Sequence, residues 1–176
     1  MSIRQRYQEL GVDKFYQDFG SQYRNPHELC LKPLIQEVFS QERNSEDPNP
    51  ILDLACGSGE ISIALMELGY NNIKATDPYT ADNYFQRTGL KAEEYSFEDI
   101  AEGALSDRRY SLVICSYALY LCSPSVLPNC CWQLSLICPK LVVLTPHKNP
   151  KIESSFGFDL IKERARVYES RSYQII

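Results

Sequence analysis

The chain has 176 residues, 44% hydrophobic and 23% charged, which suits a single globular domain with its own core. A formal charge of −5 and an isoelectric point near 5.1 make it a poor electrostatic match for a polyphosphate backbone, so a nucleic-acid substrate is not expected. No apolar run approaches the roughly 18 residues of a membrane span, and the opening MSIRQRYQEL is polar, unlike a secretory leader, so no membrane association and a cytoplasmic location are expected.

In chain order, Phe15, Phe19 and Tyr23 recur at helical spacing, with Tyr16 beside them. After Asn25-Pro26, the run HELCLKPLIQEVFSQ puts Leu31, Leu34, Ile35 and Val38 on one helical face, with Pro33 as a point of kinking. Two N-terminal helices within residues 1–43 are predicted. They are followed by a polar linker, 44–50 (NSEDPNP), whose two prolines bar a helix.

From 51 onward, apolar strand-like runs alternate with helical ones in one α/β core, 51–176. Strands are predicted over 51–55, 72–76, 92–97, 110–116 and 140–145. Helices are predicted over 60–68, ended by Gly69, over 80–88, stopped by Gly89, and over 126–137. Such alternation implies a Rossmann-like α/β fold, a mostly parallel sheet with helices on both faces. The tail reads as a short helix over 159–164 and an added edge strand over 164–173. There are seven cysteines, at 30, 56, 115, 122, 130, 131 and 138. Their odd number and apolar neighbours point to buried, reduced thiols. With no CxxC pair, and the two histidines 120 residues apart, no metal site is expected.

The informative segment is ILDLACGSGE, residues 51–60: a buried strand, a glycine turn and a helix start. Gly57 and Gly59 permit open dihedrals and a close ligand approach, and open α/β sheets bind ligands at this edge. A dinucleotide fingerprint would have a third glycine where Ser62 stands, and Glu60 at the helix start would repel a pyrophosphate. S-adenosylmethionine has no phosphate and carries a sulfonium and an ammonium, which suit acids at Asp53 and Glu60. Asp77, closing the second strand, is placed to accept from ribose hydroxyls. In SFED, Phe97 is placed to pack on an adenine and Glu98 to accept from its exocyclic amine. The alternative reading of this segment, including Asp99, is a helix cap.

At these residues, over roughly 51–145, the chain resembles the class I S-adenosylmethionine-dependent methyltransferases. ILDLACGSG looks like their first motif, Asp77 like the second and SFEDI like the third, although a family acid often found near Ser96 is absent. The resemblance implies S-adenosyl-L-methionine as cofactor. It also implies cofactor contacts from Asp53, Ala55, Gly57, Gly59, Asp77, Pro78, Phe97, Glu98 and Ser116.

The segment SYALY, 116–120, lies where resembling enzymes place the methyl acceptor, and it lacks the Asn/Asp-Pro-Pro-Tyr/Phe signature of methylation on base and glutamine nitrogens. Tyr117 and Tyr120 either line that pocket or pack beneath the next helix. His27 and His147 are the only imidazoles and hence candidate bases, with Tyr117 a third candidate. Tyr16, Tyr23 and Arg24 are candidate lid residues. The N-terminal helices and the loops 78–88, 117–125 and 146–158 are expected to enclose a small or medium acceptor. Two alternatives are a binding or partner module that kept the fold without catalysis and a nicotinamide-dependent enzyme, the latter disfavoured by Ser62 and Glu60.

Overall fold

The computed structural model describes residues 6, 9–20, 24, 28–40, 48–145, 149–163 and 165–174, excepting the side chains of 12, 13, 28–30 and 40. Its sheet has seven strands: β1 (Ile51–Leu54), β2 (Ile73–Thr76), β3 (Ala92–Glu93), β4 (Leu112–Ser116), β5 (Lys140–Leu144), β6 (Phe158–Lys162) and β7 (Arg166–Ser170). Their order is β3-β2-β1-β4-β5-β7-β6. The first five are parallel, with Leu54 opposite Thr76 on β2 and Cys115 on β4, while β7 runs antiparallel to both β5 and β6.

Alternation along the strands separates two cores. Leu52, Leu54, Val113, Cys115, Leu141 and Val143 face one side, beneath α5 (Phe97–Ala101) and α6 (Leu127–Ile137). Ile51, Leu112, Ile114, Val142 and Leu144 face the other, beneath α2 (Glu28–Ser40) and α3 (Glu60–Glu67). Pro33 lies within α2, which remains one helix and buries Leu31, Ile35, Val38 and Phe39. Before it, α1 (Val12–Phe19) starts after Gly11, and α4 (Ala81–Thr88) follows β2. The six cysteines whose side chains are described are free and buried and serve as packing, and burial pushes the Cys131 thiol up to about 12. Among the described residues, no helix is long and apolar enough to cross a membrane, and no His/Cys/Asp/Glu group could hold a metal ion.

Three expectations change. The tail segment read as a helix over 159–164 is strand β6, with Phe158 buried against the core and Leu160 exposed at the sheet edge. The strand expected at the edge, β7, lies inside, between β5 and β6, and buries Val167 on one face and Tyr168 on the other. An interior strand buries both faces, so the alternation that suggested an edge was misleading. The third strand has only two residues, because Ser96 caps a helix that begins at Phe97.

The glycines of the β1–α3 turn and of the α4 end carry different constraints. Gly59 has φ +89, and a Cβ there would lie 2.5 Å from Thr88 Cγ2 and 3.1 Å from the Tyr84 ring. Gly89, at the end of α4, has φ +72 but open space around it. Gly89→Ala should therefore cost about 1–2 kcal/mol, the left-handed penalty alone, and Gly59→Ala clearly more. Chemical denaturation of both variants measures this, and equal losses would contradict the close contact between α3 and α4.

Candidate functional site

The strand order reverses between β1 and β4: β1 connects onward to β2 on one side and β4 to β5 on the other. At such a point the loops leave the sheet in opposite directions and open a crevice at the carboxyl ends of the strands. Here the exits are abrupt. Ala55, directly after β1, has φ 54, and Tyr117, directly after β4, has φ 53; these are the non-glycine residues with positive φ among the described residues. Left-handed backbone at non-glycine positions costs about 1–3 kcal/mol each and concentrates at functional sites. Gly57, with φ 54, completes the first turn. The crevice between these turns has about 960 Å³ of empty space counting its open mouth.

Eight of the nine residues expected to contact a cofactor line this crevice: Asp53, Ala55, Gly57, Asp77, Pro78, Phe97, Glu98 and Ser116. Gly59 does not, because it faces Thr88 and Tyr84 of α4 and lets α3 and α4 close together.

Three buried carboxylates stand around the turn, and each is compensated differently. Asp77 Oδ2 accepts from the Gly57 N–H at 3.0 Å, and Oδ1 accepts from the N–H groups of Tyr79 (2.9 Å) and Thr80 (3.1 Å). The Thr80 hydroxyl donates to the Gly57 carbonyl at 2.7 Å, so the β2 loop grips the glycine turn from both sides. Burial raises the Asp77 pKa against the opposing pull of these bonds. With about four acceptor sites on a carboxylate, roughly one remains on Asp77, so accepting from two ribose hydroxyls requires sharing a backbone bond. Glu60 is held from α4 by Arg87, at 2.9 Å, and by the Ser58 hydroxyl. Its charge is therefore largely matched within the protein.

Asp53 is the exception. It is 1% exposed, and its Oδ2 accepts from the Ser62 hydroxyl (2.7 Å) and backbone N–H (3.2 Å), with Tyr84 Oη behind Ser62 at 2.8 Å. Its Oδ1 is buried without a hydrogen-bond partner. Desolvation, reinforced by Glu60 and Asp77 and opposed by Ser62, pushes the Asp53 carboxyl up to about 7. The Ser116 hydroxyl on β4, also lining the crevice, is likewise buried and unpartnered.

The remaining walls are aromatic. Phe97 and Glu98 line the crevice, whereas Asp99 closes a capping box with Ser96, accepting from its N–H (2.8 Å) and hydroxyl (2.7 Å). The helix-cap reading of SFED therefore holds for Ser96 and Asp99, while Phe97 and Glu98 stand at the crevice. Tyr16 of α1 stacks on Tyr79, with centroids 5.6 Å apart and planes 8° apart, and both line the crevice. Arg24 donates to the side-chain carbonyl of Asn83 at 3.1 Å rather than to a carboxylate. Tyr117 lines the crevice, while Tyr120 is 39% exposed and does not. His27, His147 and Tyr23 lie outside the described residues.

Sequence reasoning missed Tyr79 and Tyr95, which flank the expected positions Asp77 and Phe97 by two residues and also line the crevice. It treated Ser62 as a missing glycine, whereas Ser62 is the group that holds Asp53. Arg87 gave no local signal, because its partner Glu60 is 27 positions away.

No family model matches the chain. Uncharacterized protein C17A5.05c of Schizosaccharomyces pombe is 34% identical over 198 aligned residues, covering 90% of this chain and 80% of that protein. Among solved structures, magnesium protoporphyrin IX methyltransferase of Synechocystis PCC 6803, with bound SAM, matches with a TM-score of 0.60 at 15% identity, over 96% of this chain and 94% of its own. A TehB-like SAM-dependent methyltransferase of Corynebacterium glutamicum matches with a TM-score of 0.58 at 12% identity, over 95% and 97%. Ribosomal protein L11 methylase of Lactobacillus delbrueckii matches with a TM-score of 0.55 at 17% identity, over 84% and 79%. The chain belongs to the same family as the fission-yeast protein, and its fold is that of the class I S-adenosylmethionine-dependent methyltransferases.

Proposed function

We propose that this protein binds S-adenosylmethionine in the crevice between β1 and β4 and transfers its methyl group to a small or medium acceptor. The observation that carries the reading is the buried Asp53 carboxylate in the wall of a glycine-edged cleft, whose Oδ1 has no hydrogen-bond partner. An uncompensated buried carboxylate is costly, and a cationic ligand supplies what is missing. The ligands that the structural neighbours carry, SAM and SAH, have the matching chemistry.

When bound, S-adenosylmethionine supplies an electrophilic sulfonium methyl. In this reading Asp53 meets the ammonium of its amino-acid portion, and Gly57 leaves room for that portion. The remaining acceptor site on Asp77 takes a ribose hydroxyl, and Phe97 and Tyr95 flank the adenine, with Glu98 at its amine. Tyr16, stacked on Tyr79, covers the ribose side, so α1 acts as a lid over the crevice, while α2 packs on the sheet as part of the core. Tyr117 and Ser116 face the methyl from the β4 side and align the acceptor. Residues 1–176 act as one domain. The fold kept as a binding module without turnover is the second reading, and methyl transfer from labelled cofactor separates the two.

Calorimetric titration should give saturable binding of S-adenosylhomocysteine and none of NAD. Gly57→Arg, which fills the turn, should weaken that binding by at least roughly a hundredfold, or about 2.7 kcal/mol. Binding of NAD alone, or unaltered binding by the arginine variant, would sink the assignment.

Asp53 also fixes a pH dependence. Its pKa rises on folding from 3.8 to about 7, so the native state holds a proton that the unfolded chain has released. The associated stability is present in acid and is lost as pH rises from about 4 to about 7. Asp53→Asn lacks this loss. Its stability relative to the parent should improve on the order of 2–3 kcal/mol from about pH 5 to about pH 8, while its affinity for S-adenosylhomocysteine falls. In the parent, that affinity should weaken as pH drops below about 7, because a proton competes with the ligand ammonium. A stability difference that stays flat with pH would show that Asp53 ionises like an ordinary surface carboxylate.

A further inference from the structure

The crevice holds more negative charge than a bound cofactor would neutralise: of the roles assigned above only Asp53 meets a cation, whereas Asp77 and Glu98 accept from neutral donors and keep their charge. Four carboxylates line it (Asp53, Glu60, Asp77 and Glu98), and among its described lining residues there is no Lys, Arg or His. Arg87 matches Glu60 and backbone N–H groups match most of Asp77. Asp53 Oδ1 is buried and unpartnered, and Glu98 is exposed. Beside the acids, on the β4 side, the wall is apolar and aromatic: Tyr117, Ala118 and Leu121.

Acidic surroundings act in opposite directions on different nucleophiles. An alcohol, phenol or thiol attacks a sulfonium methyl well only after losing its proton. The resulting anion would sit among carboxylates in a partly desolvated cleft, which raises the pKa of the parent group. An acceptor bearing a carboxylate or phosphate meets the same repulsion on arrival. An amine behaves differently. It is drawn in as a cation, attacks as the free base and becomes cationic again as the bond forms. Positive charge passes from sulfur to nitrogen and stays near the carboxylates throughout, so the transition state is stabilised rather than repelled.

We propose, resting on the cofactor reading above, that the acceptor is a basic alkylamine on an apolar body, methylated on nitrogen, with the amine toward the acidic side of the crevice and the body against Tyr117, Ala118 and Leu121. The bound ammonium first releases one proton to water. The nitrogen lone pair then forms the N–C bond while the C–S bond breaks, and that electron pair stays on sulfur as a neutral thioether. The product leaves as a methylated ammonium ion. The absent Asn/Asp-Pro-Pro-Tyr/Phe segment is consistent, since it serves nitrogens whose lone pair is delocalised, and an alkylamine lone pair is already available.

The test uses the full chain and methyl-labelled S-adenosylmethionine with matched probes: 2-phenylethylamine, 2-phenylethanol, 2-phenylethanethiol and 3-phenylpropanoate, and their cyclohexyl counterparts. S-adenosylhomocysteine binding is measured first. The amines should acquire label on nitrogen, located by fragment mass spectrometry. Their kcat/KM should exceed that of the alcohols, thiols and carboxylates by at least roughly tenfold, or about 1.4 kcal/mol, and should rise with pH as free base accumulates. Preference for an oxygen or sulfur probe overturns the proposal, as does an unlabelled amine in a protein that binds S-adenosylhomocysteine. If S-adenosylhomocysteine does not bind, the cofactor reading falls first and this inference falls with it.

Discussion

The architecture of the site follows from one constraint: three carboxylates are buried around a single glycine turn, and each has to be compensated without water. Asp77 is met by three backbone N–H groups, and Glu60 by the Arg87 guanidinium and the Ser58 hydroxyl. Asp53 is met on one oxygen only. These compensations tie separate elements together. The Asp77 bond to Gly57 couples the end of β2 to the turn after β1, Ser62 couples α3 to β1, and Arg87 couples α4 to the start of α3. The same atoms therefore fix the loop geometry and leave the Asp53 Oδ1, alongside the Ser116 hydroxyl on β4, as a polar deficit in the crevice wall.

The parts of the fold legible in sequence were those whose signal is local. The β1 strand ILDL, the amphipathic face of α3 and the glycine stops at 69 and 89 depend on neighbours within a few residues. The tail was misread because its strands depend on distant partners. Phe158–Lys162 becomes a strand by pairing with β7, with Phe158 opposite Ser170, and β7 by inserting beside β5. Neither pairing leaves a periodic trace in FDLIK or RVYES. The short third strand failed for the opposite reason: a local signal, the Ser96–Asp99 capping box, outcompeted strand propensity at Phe97.

For the site the division is similar. The glycine turn and the two strand-end acids could be read because the backbone itself makes the pocket. The Tyr16–Tyr79 stack and the Arg87–Glu60 pair join residues 63 and 27 positions apart, and nothing in the sequence near either partner announces the other. Ser62 shows how a template can mislead. Compared with a glycine fingerprint it counted as an absence, but its hydroxyl donates to Asp53 Oδ2 at 2.7 Å.

Ala55 and Tyr117 extend the argument from charge to shape. Two adjacent parallel strands each end in a left-handed residue, and neither residue is a glycine that would relieve the strain. The backbone holds both because the loops beyond are anchored: Cys56 N–H donates to the Thr76 carbonyl and Tyr117 N–H to the Leu144 carbonyl. Each turn is thus fixed by a bond to the strand on its outer side, β2 for the first and β5 for the second, and the two loops are drawn apart across the β1–β4 boundary. Strain at these ends, together with the unpartnered Asp53 oxygen, lowers the stability of the empty fold in the region where a ligand would recover it. A sequence optimised for stability alone would place glycine at 55 and 117 and a neutral residue at 53. Three costly features thus share one crevice, the one in which the cofactor is proposed to bind.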